Sequence, residues 1–349
     1  MRSSLALLCA LVFLVLLPGC APQLDLSNKP CPCAPGFFCV DDLCVPGLSG
    51  GDAGGPAGLI QITGLRSDWQ TPNSLHWRWT LVGEQADFAE LTLVIAENEE
   101  DLLAQTGTAR VIDRTERASL GVYYRRRTSG EEDLVDSVFT DQHTPNTRYV
   151  AQMIATDSLG NTSRSNIAPA TTTVAPLPGA GLVLFSDDRP RGYPLPEVPP
   201  VTLSTEAPHE GTHHIEYVQT ECPGGEPLCF ENIRWQDLRA GAPAFTGGSF
   251  GLAYLEMAVE IDAVEPSFWS EIGINLHVEG PDETWLFKPF VPRYGDGYHI
   301  IQVPLRVLDR GGESLTFEHL AARSVNGFRL GAIFPVGTRV RIDEVAIRW

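Results

Sequence analysis

The chain reads as an all-β protein: two β-sandwich domains behind an export leader and a cysteine-rich tether. Apolar and polar residues alternate with period two, as in Leu75, Trp77, Trp79 and Leu81 set between His76, Arg78 and Thr80, the pattern of a half-buried strand. Turn-forming Gly, Pro, Asn and Asp recur between such segments, which favours many short strands. No long amphipathic helical pattern occurs, and Leu315 to Ala322 makes at most one short helix.

Residues 1–19 hold Arg2, then an apolar run from Leu5 to Leu17. That run is short of the ~20 residues a membrane helix needs and fits an export signal instead. It closes on Leu17-Pro18-Gly19-Cys20, which resembles the lipobox of bacterial lipoproteins, although Pro18 departs from the usual small residue. The resemblance implies a signal peptide cut before Cys20, lipidation of Cys20 and membrane anchoring. Ala21 follows where many inner-membrane lipoproteins carry aspartate, so the outer membrane or cell surface is the expected destination. The competing reading is an ordinary secretory signal, with Cys20 free or disulfide-bonded.

Residues 20–58 form the tether. Cys31, Cys33, Cys39 and Cys44 lie close together, and Cys222 and Cys229 form a second group. An even count in an exported chain points to disulfides: two in the first group, with three pairings open, and one closing the 222–229 loop. A four-thiolate zinc site competes, but the first group's spacings do not match the usual ligand pairs. Gly47 to Gly58 is a flexible linker by composition. The tether resembles the cysteine-rich necks of some surface lipoproteins.

Residues 59–176 carry the first strand-rich segment. Its sharpest part is Pro145-Asn146-Thr147-Arg148-Tyr149, followed by Ala151, Met153, Ala155, Asp157 and the Gly160-Asn161 turn. This resembles the fibronectin type III pattern. The resemblance implies that Tyr149 is a buried corner tyrosine bonded to nearby backbone and that Trp77 or Trp79 is the core tryptophan. His143 stands where that family has leucine, and residues 101–135 are longer and more charged than its pattern.

Residues 180–349 return to strands at Tyr254–Ile261, Ile272–Val278, Tyr298–Leu305 and Arg339–Trp349, and the absence of helices implies a second two-sheet sandwich, a jelly roll. Val303-Pro304-Leu305, Phe328 to Phe334 and the closing Ile342-Asp343-Glu344-Val345 resemble carbohydrate-binding modules of the galactose-binding-like type. In such modules, flat aromatic faces and nearby amides hold a sugar. The candidate ligand-binding aromatics are Trp235, Trp269, Trp285, Tyr294 and Tyr298, with Asn275, Gln302, Asp282 and Arg293 as polar companions. The family also implies a structural calcium, with Asp187, Asp188 and Asp343 as candidate ligands. Consecutive strand residues face opposite ways, so only one of Asp343 and Glu344 is expected to point at a given site. His209, Glu210, His213, His214 and Glu216 lack the spacing of a catalytic zinc helix and read as surface residues.

A net charge of −19 argues against nucleic-acid binding. No nucleophile elbow and no phosphate loop is present. Together these features predict a non-catalytic surface lipoprotein that recognises a polysaccharide or other glycan through its C-terminal domain, with the middle domain as spacer. Two alternatives stand beside it: a structural or protein-interaction lipoprotein with no sugar site, and a surface glycan hydrolase or lyase with a paired-carboxylate cleft.

Overall fold

The computed structural model describes residues 37–40, 43–46, 60–126, 132–177, 181–186, 193–194, 201–206, 208–220, 222, 228–236, 241–262, 273–278, 284–287 and 297–349, some of them by backbone alone. Cys20, Cys31, Cys33, Asp187, Asp188, Trp269, Asp282, Arg293 and Tyr294 lie outside the described residues, as do the side chains of Cys39, Cys44, Cys229 and Trp285. The chain divides into two compact units, Met1–Gly55 and Pro56–Trp349. In the first, strands Phe37–Val40 and Leu43–Pro46 pair as an antiparallel hairpin with Cys39 opposite Cys44. No helix among the described residues is long and apolar enough to cross a membrane.

The fold is all-β. In the larger unit the first sandwich contains β1 (Gln61–Gln70), β2 (Leu75–Val82), β3 (Phe88–Ala96), β4 (Arg110–Ile112), β5 (Ser137–Thr140), β6 (Arg148–Asp157), β7 (Thr162–Arg164) and β8 (Ala168–Thr171). One sheet runs β1-β2-β5, and the other runs β7-β6-β3-β4, with β8 also on β6. The period-two pattern places Leu75, Trp77, Trp79 and Leu81 on the inner face of β2, against Leu91, Leu93, Met153 and Ala155 of the facing sheet. Both tryptophans are buried, and the Trp77 indole N–H donates to Thr140 Oγ1 at 3.2 Å.

The corner expected around Tyr149 is present. Its ring is buried and its hydroxyl accepts from the Thr144 N–H at 2.9 Å. His143 fills the position where leucine is usual. It packs against the Tyr149 ring, with centroids 4.6 Å apart, and its Nε2 meets Thr140 Oγ1 at 2.8 Å. The long 101–135 stretch holds helix α1 (Glu99–Ala104), capped by the Asn98 side chain accepting from the Asp101 N–H, then β4 and a small hairpin. Leu102 of α1 covers Val94 and Val150 on the outer face of the β3/β6 sheet.

The second sandwich contains β9 (Leu182–Phe185), β10 (Tyr193–Pro194), β11 (Thr202–Ser204), β12 (His214–Val218), β13 (Leu228–Gln236), β14 (Tyr254–Asp262), β15 (Gly273–Val278), β16 (Thr284–Phe287), β17 (His299–Pro304), β18 (Val325–Pro335) and β19 (Arg339–Arg348). Its first sheet runs β11-β12-β19-β14-β17, with β9 on β19. The second begins β10-β13-β18-β15-β16 and ends in the short 309–314 hairpin. Phe185, Tyr217, Trp235, Met257, Leu276, Phe328 and Ile342 are among the residues that fill the core between them. The one short helix expected near 315–322 is Phe317–Leu320, with Thr316 and His319 capping each other.

The two sandwiches are joined rather than strung on a linker. Trp69 of β1 and Phe139 of β5 belong to the second sandwich's core cluster. The Asn73 N–H donates to Gln302 Oε1 at 3.1 Å. Beside them lies a buried charge network: Arg117 Nη2 donates to Asp141 Oδ1 at 2.8 Å, and Arg117 Nε donates to the Phe139 carbonyl at 3.2 Å. His299 of β17 reaches Asp141 Oδ2 at 3.2 Å, while Arg110 donates to the Asp141 carbonyl and pairs with Glu116. The edge of the second sandwich at β17 is thereby covered by the first, which removes an edge that could pair with another chain.

Candidate functional site

Each sheet of the second sandwich turns one face to the shared core and one away, so two outer faces compete as a site. On the β12-β19-β14-β17 sheet the outer face is a mesh of ion pairs. Arg341 Nη1 donates to Glu260 Oε2 at 2.5 Å, and Arg341 Nε lies 3.5 Å from Glu216 Oε2. Arg348 Nε donates to Glu256 Oε1 at 2.9 Å, and Gln302 donates to the other Glu256 oxygen at 2.7 Å. These groups are already matched to one another, and Gln302 in addition bridges the sandwiches. It is not available as a sugar ligand.

Asp343 and Glu344 stand at the upper end of this face and depart from the alternation rule. β19 bulges there against β14, and Glu344 sits at φ 47°. The extra residue lets Asp343 and Glu344 reach the same 209–210 loop. Asp343 Oδ2 accepts from the N–H groups of His209 and Glu210 at 3.0 and 3.2 Å, and its Oδ1 accepts from the Glu344 N–H at 2.8 Å. A carboxylate so engaged pins that loop; Asp187 and Asp188, the other two residues expected at a calcium site, lie outside the described residues. The ligand atoms of His209, Glu210 and Glu344 lie within 4.8 Å of one another. Burial, and the Glu210 carboxyl hydrogen-bonded beside it, push the Glu344 carboxyl up to about 7. A set with a histidine nitrogen and two carboxylates is a poor match to calcium's preference for an all-oxygen shell.

Of the aromatic candidates, the side chains of Trp235 and Tyr298 lie among the described residues. Trp235 is 3% exposed and sits edge-on to Phe185, 5.7 Å away. It is a core residue with no free face, because β13 puts odd-numbered positions on the inside, and this corrects its assignment as a sugar platform. Trp285 pairs with Leu276, so position 285 falls on the core-facing side of β16. Tyr298, half-buried, precedes β17, its ring 5.2 Å from that of His209. Burial and the Asp343 carboxylate push its hydroxyl pKa up.

The other outer face, on β13-β18-β15-β16, has a different character. Buried Ile233, Trp235, Phe328, Leu330, Ile274 and Leu276 fix which positions face inward. The positions facing out then fall into rows across the sheet. Asn232, Gly331 and Gly273 make one row, and Arg234, Arg329, Asn275 and Leu286 the next. Gln236, Gly327, His277 and Thr284 follow. Gly273, Gly327, Gly331 and Asn275 are buried as a floor, while Arg329 and His277 are half-buried. The decisive group is Asn275: the residue is 1% exposed, and its side-chain oxygen has no hydrogen-bond partner. Of the polar companions that lie among the described residues, Asn275 and Gln302, Asn275 is the one that remains a candidate. The residues beside it, Arg329 and His277, were missed. The signal that could have found them is the odd-numbered polar set 273–277 and 327–331 read as one face, which needs the register.

No family model matches the chain, and no curated protein matches it. Among solved structures, it is similar to a family 30 carbohydrate-binding module at 12% identity and TM-score 0.32, over 49% of this chain and 88% of that one. It is similar to the FN1–FN3 domains of chicken CNTN1 at 12% identity and TM-score 0.23, over 69% of this chain and 55% of that one. It is also similar to the chitinase ChiA74 from Bacillus thuringiensis at 11% identity and TM-score 0.21, over 82% of this chain and 28% of that one.

Proposed function

We propose that this protein is a non-catalytic, lipid-anchored surface protein that recognises a glycan on the outer face of the β13-β18-β15-β16 sheet. The observation that carries the proposal is the unpartnered amide oxygen of Asn275 on that face. A buried acceptor left unsatisfied costs about 1–3 kcal/mol, and such a group in a native fold calls for an explanation. A ligand hydroxyl reaching past the half-buried Arg329 and His277 would supply the missing donor. Polar groups converging on a floor of small residues suit a sugar better than an apolar ligand. Recognition here is by hydrogen bonding rather than by the aromatic stacking expected from sequence. Lipidation at Cys20, export to the outer membrane or cell surface, and disulfides in the tether and at Cys222–Cys229 complete the proposal, since Cys222 is a disulfide cysteine.

The test is a glycan array probed with the full-length protein and with Asn275→Ala. Binding by the wild type that falls at least tenfold in a variant with unchanged unfolding supports the proposal, and binding unaffected by the variant removes the site. A second reading, a structural or protein-interaction lipoprotein, is favoured by one specific observation: Trp235 is buried in the core and position 285 falls on the same core-facing side of its sheet. A folded protein that binds nothing on a broad array would support that reading.

A further inference from the structure

We propose that His209, Glu210 and Glu344 form a site for a divalent transition-metal ion of the zinc type, which clasps the 208–213 loop to β19. Their ligand atoms, one imidazole nitrogen and one oxygen from each carboxylate, all lie within 4.8 Å of one another. Ligands about 2.1 Å from a tetrahedral zinc ion stand about 3.4 Å apart, and His209 Nδ1 lies 3.2 Å from Glu344 Oε2. One nitrogen and two carboxylate oxygens suit zinc and its neighbours, whereas calcium and magnesium take oxygen. Three protein ligands leave a fourth position for water. His209 and Glu210 are exposed and Glu344 is half-buried, so an ion has a way in.

The backbone holds this set together. Asp343, 1% exposed, accepts from the N–H groups of His209 and Glu210, and the bulge in β19 brings Glu344 to the same loop at φ 47°. A non-glycine residue at positive φ persists only where its surroundings over-determine it. The Glu210 and Glu344 carboxyls are in hydrogen-bond contact. They repel once both ionise, and a divalent cation between them removes that repulsion. An independent observation lies beside the set. His214 is 0% exposed, with its Nε2 3.6 Å from Glu216. Among the described residues, its buried Nδ1 has no hydrogen-bond partner, and neither has the buried hydroxyl of Tyr298. The Tyr298 ring reaches both histidines, with centroids 5.2 Å from His209 and 6.5 Å from His214. A hydrated ion at the loop would bring the water that these buried groups lack. The site stands on the other sheet from Asn275 and does not depend on glycan recognition.

The test is zinc binding by the full-length protein, stripped of metal with chelator and kept under oxidising conditions. Equilibrium dialysis against Zn²⁺ at neutral pH is expected to show binding at micromolar concentration that a large excess of Ca²⁺ does not displace. X-ray absorption at the zinc edge of the wild type is expected to show nitrogen and oxygen at about 2.0–2.1 Å and no sulfur at about 2.3 Å. His209→Ala and Glu344→Gln are each expected to weaken zinc binding at least tenfold, while Glu100→Gln on α1 leaves it unchanged. Because the absorption is read on the wild-type protein, the result stands even if a variant fails to fold. Sulfur ligands, displacement of zinc by calcium, unchanged zinc affinity in a folded His209→Ala variant, or no zinc bound at micromolar concentration would each overturn the proposal.

Discussion

Asp141→Asn tests the joint between the sandwiches with almost no change of shape. Asp141 and Arg117 are 2% and 1% exposed, with the guanidinium 2.8 Å from the carboxylate. The substitution leaves a buried guanidinium facing a neutral amide and takes the anionic partner from His299 across the joint. Breaking one side of a buried pair costs about 3–5 kcal/mol. Urea unfolding of the full-length protein at pH 7, followed by tryptophan fluorescence, should show one transition for the wild type. The variant should lose about 3–5 kcal/mol or split into two transitions. A double variant, Arg117→Met with Asp141→Leu, removes both charges and should be less destabilised than the sum of the two single changes. Acid dependence gives a further check. Burial raises the Asp141 carboxyl pKa, but the His299 hydrogen bond and the Arg117 charge outweigh it and hold the carboxyl below its ordinary range. Its contribution is present above the unfolded aspartate value of about 3.9 and is lost as pH falls through the lower folded value. A loss below about 1 kcal/mol in Asp141→Asn, or strictly additive single changes, would refute the reasoning.

His143 is a buried base whose pKa is pushed down to about 4, chiefly by burial and then by the Arg110 charge. Between an unfolded value of about 6.5 and that folded value, the unfolded chain binds the extra proton, so stability falls as pH drops through this window, by up to about 3 kcal/mol. His143→Leu should remove that part of the slope, read from urea midpoints at pH 7 and pH 4. Tyr149→Phe deletes the acceptor of the Thr144 N–H and should cost about 1 kcal/mol, measured the same way. Glu344, with its carboxyl raised to about 7, contributes stability that is present below its ordinary value and lost as pH rises through 7. Glu210→Gln should bring that titration down in a carboxyl NMR experiment. Trp235→Ala should cost about 3–5 kcal/mol as a core truncation, with glycan affinity of the folded fraction unchanged.

Short alternating segments specify their own strands, because side-chain direction in a strand has period two whatever it packs against. Hence Leu75 to Leu81, Tyr254 to Ile261 and Arg339 to Trp349 could be read directly, and so could the corner at Tyr149, whose partner Thr144 is five residues away. The same rule failed at Asp343-Glu344, where one inserted residue at positive φ resets the alternation and depends on how β14 lies against β19. Aromatic content alone did not show that Trp235 is a core residue, since a buried and a surface tryptophan look alike until register assigns a face.

Local period and turn chemistry were thus enough to determine an all-β chain of two sandwiches. Only the tertiary structure decided that Asp141 meets His299 across 158 residues, and that Arg234, Arg329 and Asn275 share one row. Such neighbours are set by strand register and by the closure of long loops. Those are properties of the assembled sheets and leave no trace in the spacing of residues along the chain.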